Sequence, residues 1–173
     1  MSHQLLLFRH AKSDWSKDCE DFDRPISKRG KQDAINMASW MLEHKLIPDL
    51  VLASPAERSL QTCHYLMQGF QGMMNLPKID DRLYHANVED LIGLVSEQDE
   101  STSSLMLVGH NPGMDGLLEY LFGDDLPLTS KGKLMTTASL AVLDLQGRWS
   151  DLGASSTSLT QIARPKMVAS RAN

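Results

Sequence analysis

A chain of 173 residues can enclose one domain with a sizeable core but not two comfortable ones. Its hydrophobic content of 42% and charged content of 23% are those of an ordinary globular protein, and a net charge of −5 excludes a global basic surface for nucleic acid or acidic lipid. Any cluster of arginines must therefore be local, which suits a small anion held in a cleft.

The first predicted element is a buried strand at residues 5–8, an apolar run far too short for a secretory core or a membrane span. A polar loop carrying Cys19 follows, and a helix is predicted from Ser27, because Ala34, Met37, Ala38, Trp40, Met41 and Leu42 recur at amphipathic spacing. Residues 50–53 read as a second strand and the segment after Ser54, which includes Cys63, as a second helix. With no metal-like spacing, the two cysteines point to a reduced, cytoplasmic chain without a disulfide. Residues 79–80 give a weak third strand, 88–95 a short helix, 105–108 a buried strand, and 112–122 a further helix. Residues 139–145 are β-like, the Gln146-Gly147-Arg148 turn reverses the chain, and 158–163 can return beside them as an antiparallel edge. Residues 154–158 read as loop, and the tail at 166–173 is expected to fray, leaving a single domain over 1–165. Strands alternating with helices make this an α/β domain with a mainly parallel sheet.

Three strand ends carry the chemistry. Arg9-His10 follows the first strand, Ser54-Pro55-Ala56-Glu57-Arg58 the second, and Gly109-His110-Asn111-Pro112-Gly113 the strand at 105–108. In a parallel sheet these carboxyl ends share one edge, where α/β proteins place ligand crevices. Ser54 is expected to cap the second helix, with Pro55 as its first residue and Glu57 completing a capping box. Asn111 and Pro112 are expected to repeat the device. Each helix start offers free N–H groups to an anion, so two arginines, two histidines and two helix starts converge as a phosphate site. His3, His44, His64 and His85 lack such placement and read as structural or solvated. A zinc site built on His10 and His110 lacks a third ligand at suitable spacing.

Arg9-His10-Ala11-Lys12-Ser13-x-Trp15 resembles the signature of the SixA-type phosphohistidine phosphatases of the histidine phosphatase superfamily. Asp23-Arg24-Pro25-Ile26 with Arg29-Gly30, Ser54-Pro55-Ala56 through Arg58 to Gln61-Thr62, residues 108–113, and Arg164-Pro165-Lys166 extend the likeness along nearly the whole chain. The resemblance implies a three-layer α/β/α sandwich of the phosphoglycerate mutase type. It also implies His10 as nucleophile, forming a phosphohistidine intermediate, with Arg9, Arg58 and His110 on the phosphoryl oxygens. No cofactor or metal is implied. Physically, His10 must be neutral at its attacking nitrogen, so its other ring nitrogen is expected to donate to a backbone carbonyl. His110, if protonated, would add a donor that strengthens as charge develops.

One departure bears on substrate. Superfamily members that cleave phosphate esters usually carry a glutamate acid after the third strand, where this chain reads Leu83-Tyr84-His85-Ala86. An alkoxide needs a proton donor on leaving, whereas imidazole, with its low basicity, does not. The missing acid favours a P–N bond. Otherwise a carboxyl of the first loop (Asp18, Glu20, Asp21 or Asp23) must serve; Asp21 is preferred, since Asp23 can pair with Arg24, although an acidic solvated loop explains all four equally well. Short connections leave the cleft open, which suits phosphohistidine on a partner protein, without nucleic acid or membrane involvement and with this chain as a monomer. The alternatives are a phosphatase for a small phosphate ester or anhydride, and a phosphate-dependent binding module.

Overall fold

The computed structural model describes residues 2–123 and 125–169. Among them, six strands form one sheet: β1 (Ser2–Arg9), β2 (Leu50–Ala53), β3 (Lys78–Ile79), β4 (Ser104–Gly109), β5 (Leu140–Gln146) and β6 (Thr157–Ala163). Their order is β3-β2-β4-β1-β5-β6. The first four run parallel, while β5 and β6 are antiparallel to their neighbours. The helices are α1 (Lys28–Glu43), α2 (Glu57–Gly69), α3 (Val88–Ser96), α4 (Gly113–Phe122) and α5 (Pro165–Ala169).

The near-continuous apolar strands are explained by burial on both faces. Side chains alternate across the sheet, so Leu6 and Phe8 of β1 enter one core with Val51, Val108 and Met37 of α1. Leu5 and Leu7 enter the other with Leu105, Leu107, Leu94 of α3 and Leu117 of α4. The result is the expected three-layer α/β/α sandwich, with α1, α2 and α5 on one face and α3 and α4 on the other.

Ser27 caps α1 as predicted, its hydroxyl accepting from the Gly30 N–H at 3.1 Å. Gly30 is required for a second reason: a Cβ there would stand 2.4 Å from the Lys12 carbonyl oxygen, which lies just beyond His10. The predicted cap of α2 is corrected. The helix begins at Glu57 after an Ala56 that makes no side-chain cap. Glu57 accepts from Gln61 Nε2 at 2.6 Å instead of closing a capping box, while the Ser54 hydroxyl accepts only from the Ala56 N–H, at 3.3 Å, ahead of the helix and also meets His110 Nε2 at 2.7 Å. Likewise α4 begins at Gly113, with neither Asn111 nor Pro112 forming a side-chain cap.

The tail expected to fray from Lys166 is helical through Ala169 and packs beside α1; the remainder of that expectation, residues 170–173, lies outside the described residues. The β5–β6 connection is also longer than a tight reversal. Gly147, with φ +113°, leads into a 3₁₀ turn at Trp149–Asp151 that plugs a fully buried Trp149 into the α3–α4 side of the sheet.

Candidate active site

The parallel register places Arg9 of β1 opposite Gly109 of β4, and Ala53 of β2 opposite Val108. His10, Ser54 and His110 therefore leave three adjacent strands at the same edge. The His10 N–H donates to the Gly109 carbonyl and the Ser54 N–H to that of Val108, both at 3.0 Å, so the strand ends are tied across the site. The Ala138 N–H, from the segment before β5, closes on the carbonyls of Arg9 and His10 at 3.0 and 3.1 Å.

His10 is buried, and its Nδ1 donates to its neighbour's carbonyl, that of Ala11, at 2.8 Å. This is the expected backbone partner, and it leaves the lone pair on Nε2. Burial, followed by the fields of Arg58, Arg9 and Arg24, pushes the His10 pKa down to about 4, with the Ala11 contact opposing. Nε2 is therefore unprotonated at neutral pH without a separate base. The His110 ring lies 4.9 Å from the His10 ring, centroid to centroid. Its Nε2 bonds the Ser54 hydroxyl at 2.7 Å, and burial, then His10 and Arg58, hold its pKa at about 3. In the free site His110 is thus a neutral group, not the protonated donor considered from the sequence.

Arg9 donates through Nη1 to the Met135 carbonyl at 2.6 Å. Arg58, in the first turn of α2, donates to the Asp21 carbonyl at 2.6 Å and to Asp21 Oδ2 at 3.1 Å. Burial lowers the pKa of both arginines, and a guanidinium keeps its charge through such shifts. The helix and the nucleophile loop are joined by Thr62, whose hydroxyl accepts from the Ala11 N–H at 2.9 Å and donates to the Arg58 carbonyl at 2.6 Å. The four residues singled out from the sequence, Arg9, His10, Arg58 and His110, are brought together.

Asp21 also reaches the site. Of the four acidic candidates in its loop, it is the one whose side chain bonds site residues among the described residues. Its carboxylate takes Arg58, Arg24 and the Tyr84 hydroxyl, the last at 3.0 Å. The pairing of Arg24 with Asp23 expected from the sequence is corrected: Arg24 pairs with Asp21 and stacks 3.5 Å over the Trp15 ring. Arg24 and Tyr84 were missed as site residues because nothing in their local sequence ties them to a strand end. Tyr84 stands where an acid was sought, with its ring 5.7 Å from that of His110 and edge-on to Phe22.

Both histidines have folded pKa values below the ordinary 6.5, so the unfolded chain takes up protons first. Their contribution to stability is complete above about pH 6.5. It is lost as pH falls through about 4 for His10 and about 3 for His110. The urea midpoint should therefore drop between pH 7 and pH 4, and His110→Asn should flatten part of that drop. In the same titration kcat/KM, corrected for substrate ionisation, should stay level down to about pH 5. It should fall below about 4, where His10 protonates.

A sheet edge carrying a neutral histidine between guanidiniums defines a phosphate-handling α/β enzyme. Residues 5–102 match the histidine phosphatase superfamily (branch 1), and the chain belongs to that superfamily; it is a phosphatase. It superposes on the SixA protein of Agrobacterium tumefaciens, a phosphohistidine phosphatase by name, with a TM-score of 0.79 and 33% identity over 94% of this chain and 98% of the other. The protein histidine phosphatase SixA bound to tungstate gives 0.75 at 21% identity, covering 95% and 99%. An uncharacterized protein of Mycobacterium tuberculosis is 29% identical over 148 residues, 83% of this chain and 90% of its own.

Proposed function

We propose that this phosphatase removes phosphate from phosphohistidine carried on a partner protein of a phosphorelay or phosphotransferase system. The reading rests chiefly on a neutral His10 and on an Asp21 carboxylate whose oxygens are already taken by Arg24, Arg58 and Tyr84. Asp21 accepts from three donors and is bound to Arg58.

In the first step His10 Nε2 attacks phosphorus, a new P–N bond forms, and the bond to the substrate's imidazole breaks. The pair from that bond stays on the departing nitrogen. Because a protonated phosphohistidine leaves as neutral imidazole, no further acid is needed. Arg9 and Arg58 hold the phosphoryl oxygens in line, and His110 adds a neutral N–H donor. Water then attacks the phosphorus of phospho-His10, releasing inorganic phosphate and restoring the neutral ring. The scheme requires no metal, and an incoming phosphoryl group displaces the Asp21 carboxylate from Arg58. For an ester, Asp21 would first have to leave Arg58 before it could act as the acid.

Phosphoimidazole and β-glycerophosphate separate these chemistries. The expected kcat/KM for phosphoimidazole exceeds that for the alkyl ester by about 10³-fold, the size of a general-acid contribution. Asp21→Asn should retain P–N turnover and lower the inhibition constant of inorganic phosphate, since a competitor for Arg58 is gone. Equal turnover of both substrates, with ester cleavage lost in Asp21→Asn, would instead establish an ester phosphatase with Asp21 as its acid.

A further inference from the structure

Next to the cleft lies a second cavity, of about 450 Å³, lined by Arg29, Lys131, Lys133, Arg164 and Lys166. The rest of its lining is hydroxyl-bearing or apolar, with no carboxylate. Five of the chain's 17 lysines and arginines thus face one cavity of a protein whose net charge is −5. Thr136 and Thr137 form part of its wall, and they directly follow Met135, whose carbonyl holds Arg9. One short segment therefore separates this cavity from the phosphate-binding guanidinium.

The cations fall into two groups. Arg164 is committed to the fold, donating to the Leu134 carbonyl at 3.1 and 2.7 Å and also to that of Pro127, with Asp115 in electrostatic range. Arg29 lies 3.4 Å from Asp33 on the next turn of α1. Lys131, Lys133 and Lys166 are exposed, and no ion pair engages them among the described residues. A built phosphate site would present rigid guanidinium forks, as the catalytic cleft does. Here Arg29 is largely exposed and Arg164 is held by main-chain carbonyls, and what faces outward is a set of hydrated point charges on flexible stems, flanked by the exposed side chains of Leu128 and Met167. That combination suits the carboxylates of a polypeptide, where many weak, salt-sensitive contacts add to a few apolar ones.

We infer that this basic cavity docks an acidic segment of the protein whose phosphohistidine enters the cleft. The inference rests on the function proposed above, but its first test is independent of turnover. Fluorescein-labelled hexaglutamate, followed by anisotropy at low salt, should bind the wild type and lose about tenfold or more in affinity to Lys131→Glu/Lys133→Glu. Lys131→Arg/Lys133→Arg should restore binding, separating charge from any local misfolding.

In turnover, a peptide with phosphohistidine flanked by glutamates should be used about tenfold more efficiently than one flanked by serines, and the charge-reversed variant should abolish that preference. Phosphoimidazole turnover should be the same in both proteins. Loss of phosphoimidazole turnover in the wild type would count against the proposed function, leaving the anisotropy result to decide the docking site. Hexaglutamate binding unchanged by charge reversal would overturn the inference. So would competition by inorganic tripolyphosphate at concentrations where hexaglutamate does nothing, which would make the cavity a phosphate site.

Discussion

His10→Ala is expected to reduce kcat by about 10⁴-fold or more on every phosphoryl substrate, the scale seen when a covalent nucleophile is removed. The side chain is buried against the Ala11 carbonyl, and low solvation, reinforced by the fields of Arg58, Arg9 and Arg24, keeps its ring neutral. No neighbour can replace it. His110, the nearest alternative, is engaged by Ser54 at 2.7 Å and sits on a different strand end. Rapid quench with labelled substrate should trap one phosphoryl group per wild-type chain, labile in acid and stable in alkali, and none in the variant. Turnover within tenfold of wild type would remove His10 from the mechanism.

Arg58→Ala should lower kcat/KM by about 10²- to 10³-fold, the usual cost of losing one preorganised donor to developing charge. Arg58→Lys should recover little, because a single ammonium cannot span two oxygens as the guanidinium does with Asp21. The same variants carry a structural readout. Arg58 also anchors the 14–26 loop through the Asp21 carbonyl, so limited proteolysis should cut that loop faster in Arg58→Ala than in Arg58→Lys. Full activity in the lysine variant would show that charge alone suffices at this position.

Much of this is legible in the sequence. Short apolar runs bounded by polar segments identify β1, β2 and β4, because strands buried on both faces leave no polar alternation to confuse the reading. The residues after them become the site by topology alone, which is why Arg9, His10, Arg58 and His110 could be named together. What was hidden depends on contacts between segments distant in the chain. Ser54-Pro55-x-Glu57 looks locally like a capping box, yet the Ser54 hydroxyl also meets His110, 56 residues away. Asp21 and Tyr84 are 63 residues apart, and their bond is specified by how two loops settle over Arg58 rather than by spacing. The helix at Pro165–Ala169 was missed because five residues carry almost no periodicity; it forms by packing on α1.

The strand order has a consequence for how activity arises. β1 and β2 never pair with each other; β4 lies between them and bonds to both. His10, just after β1, and the Arg58 guanidinium after β2 are therefore held in register by a strand that begins 46 residues after Arg58 (from 58 to 104). A chain emerging from the ribosome carries His10 and Arg58 early, but it has no phosphate pocket until residues 104–109 insert and bring His110 with them. Catalytic competence thus appears late and all at once, and fragments ending before β4 should be inert toward every phosphoryl donor.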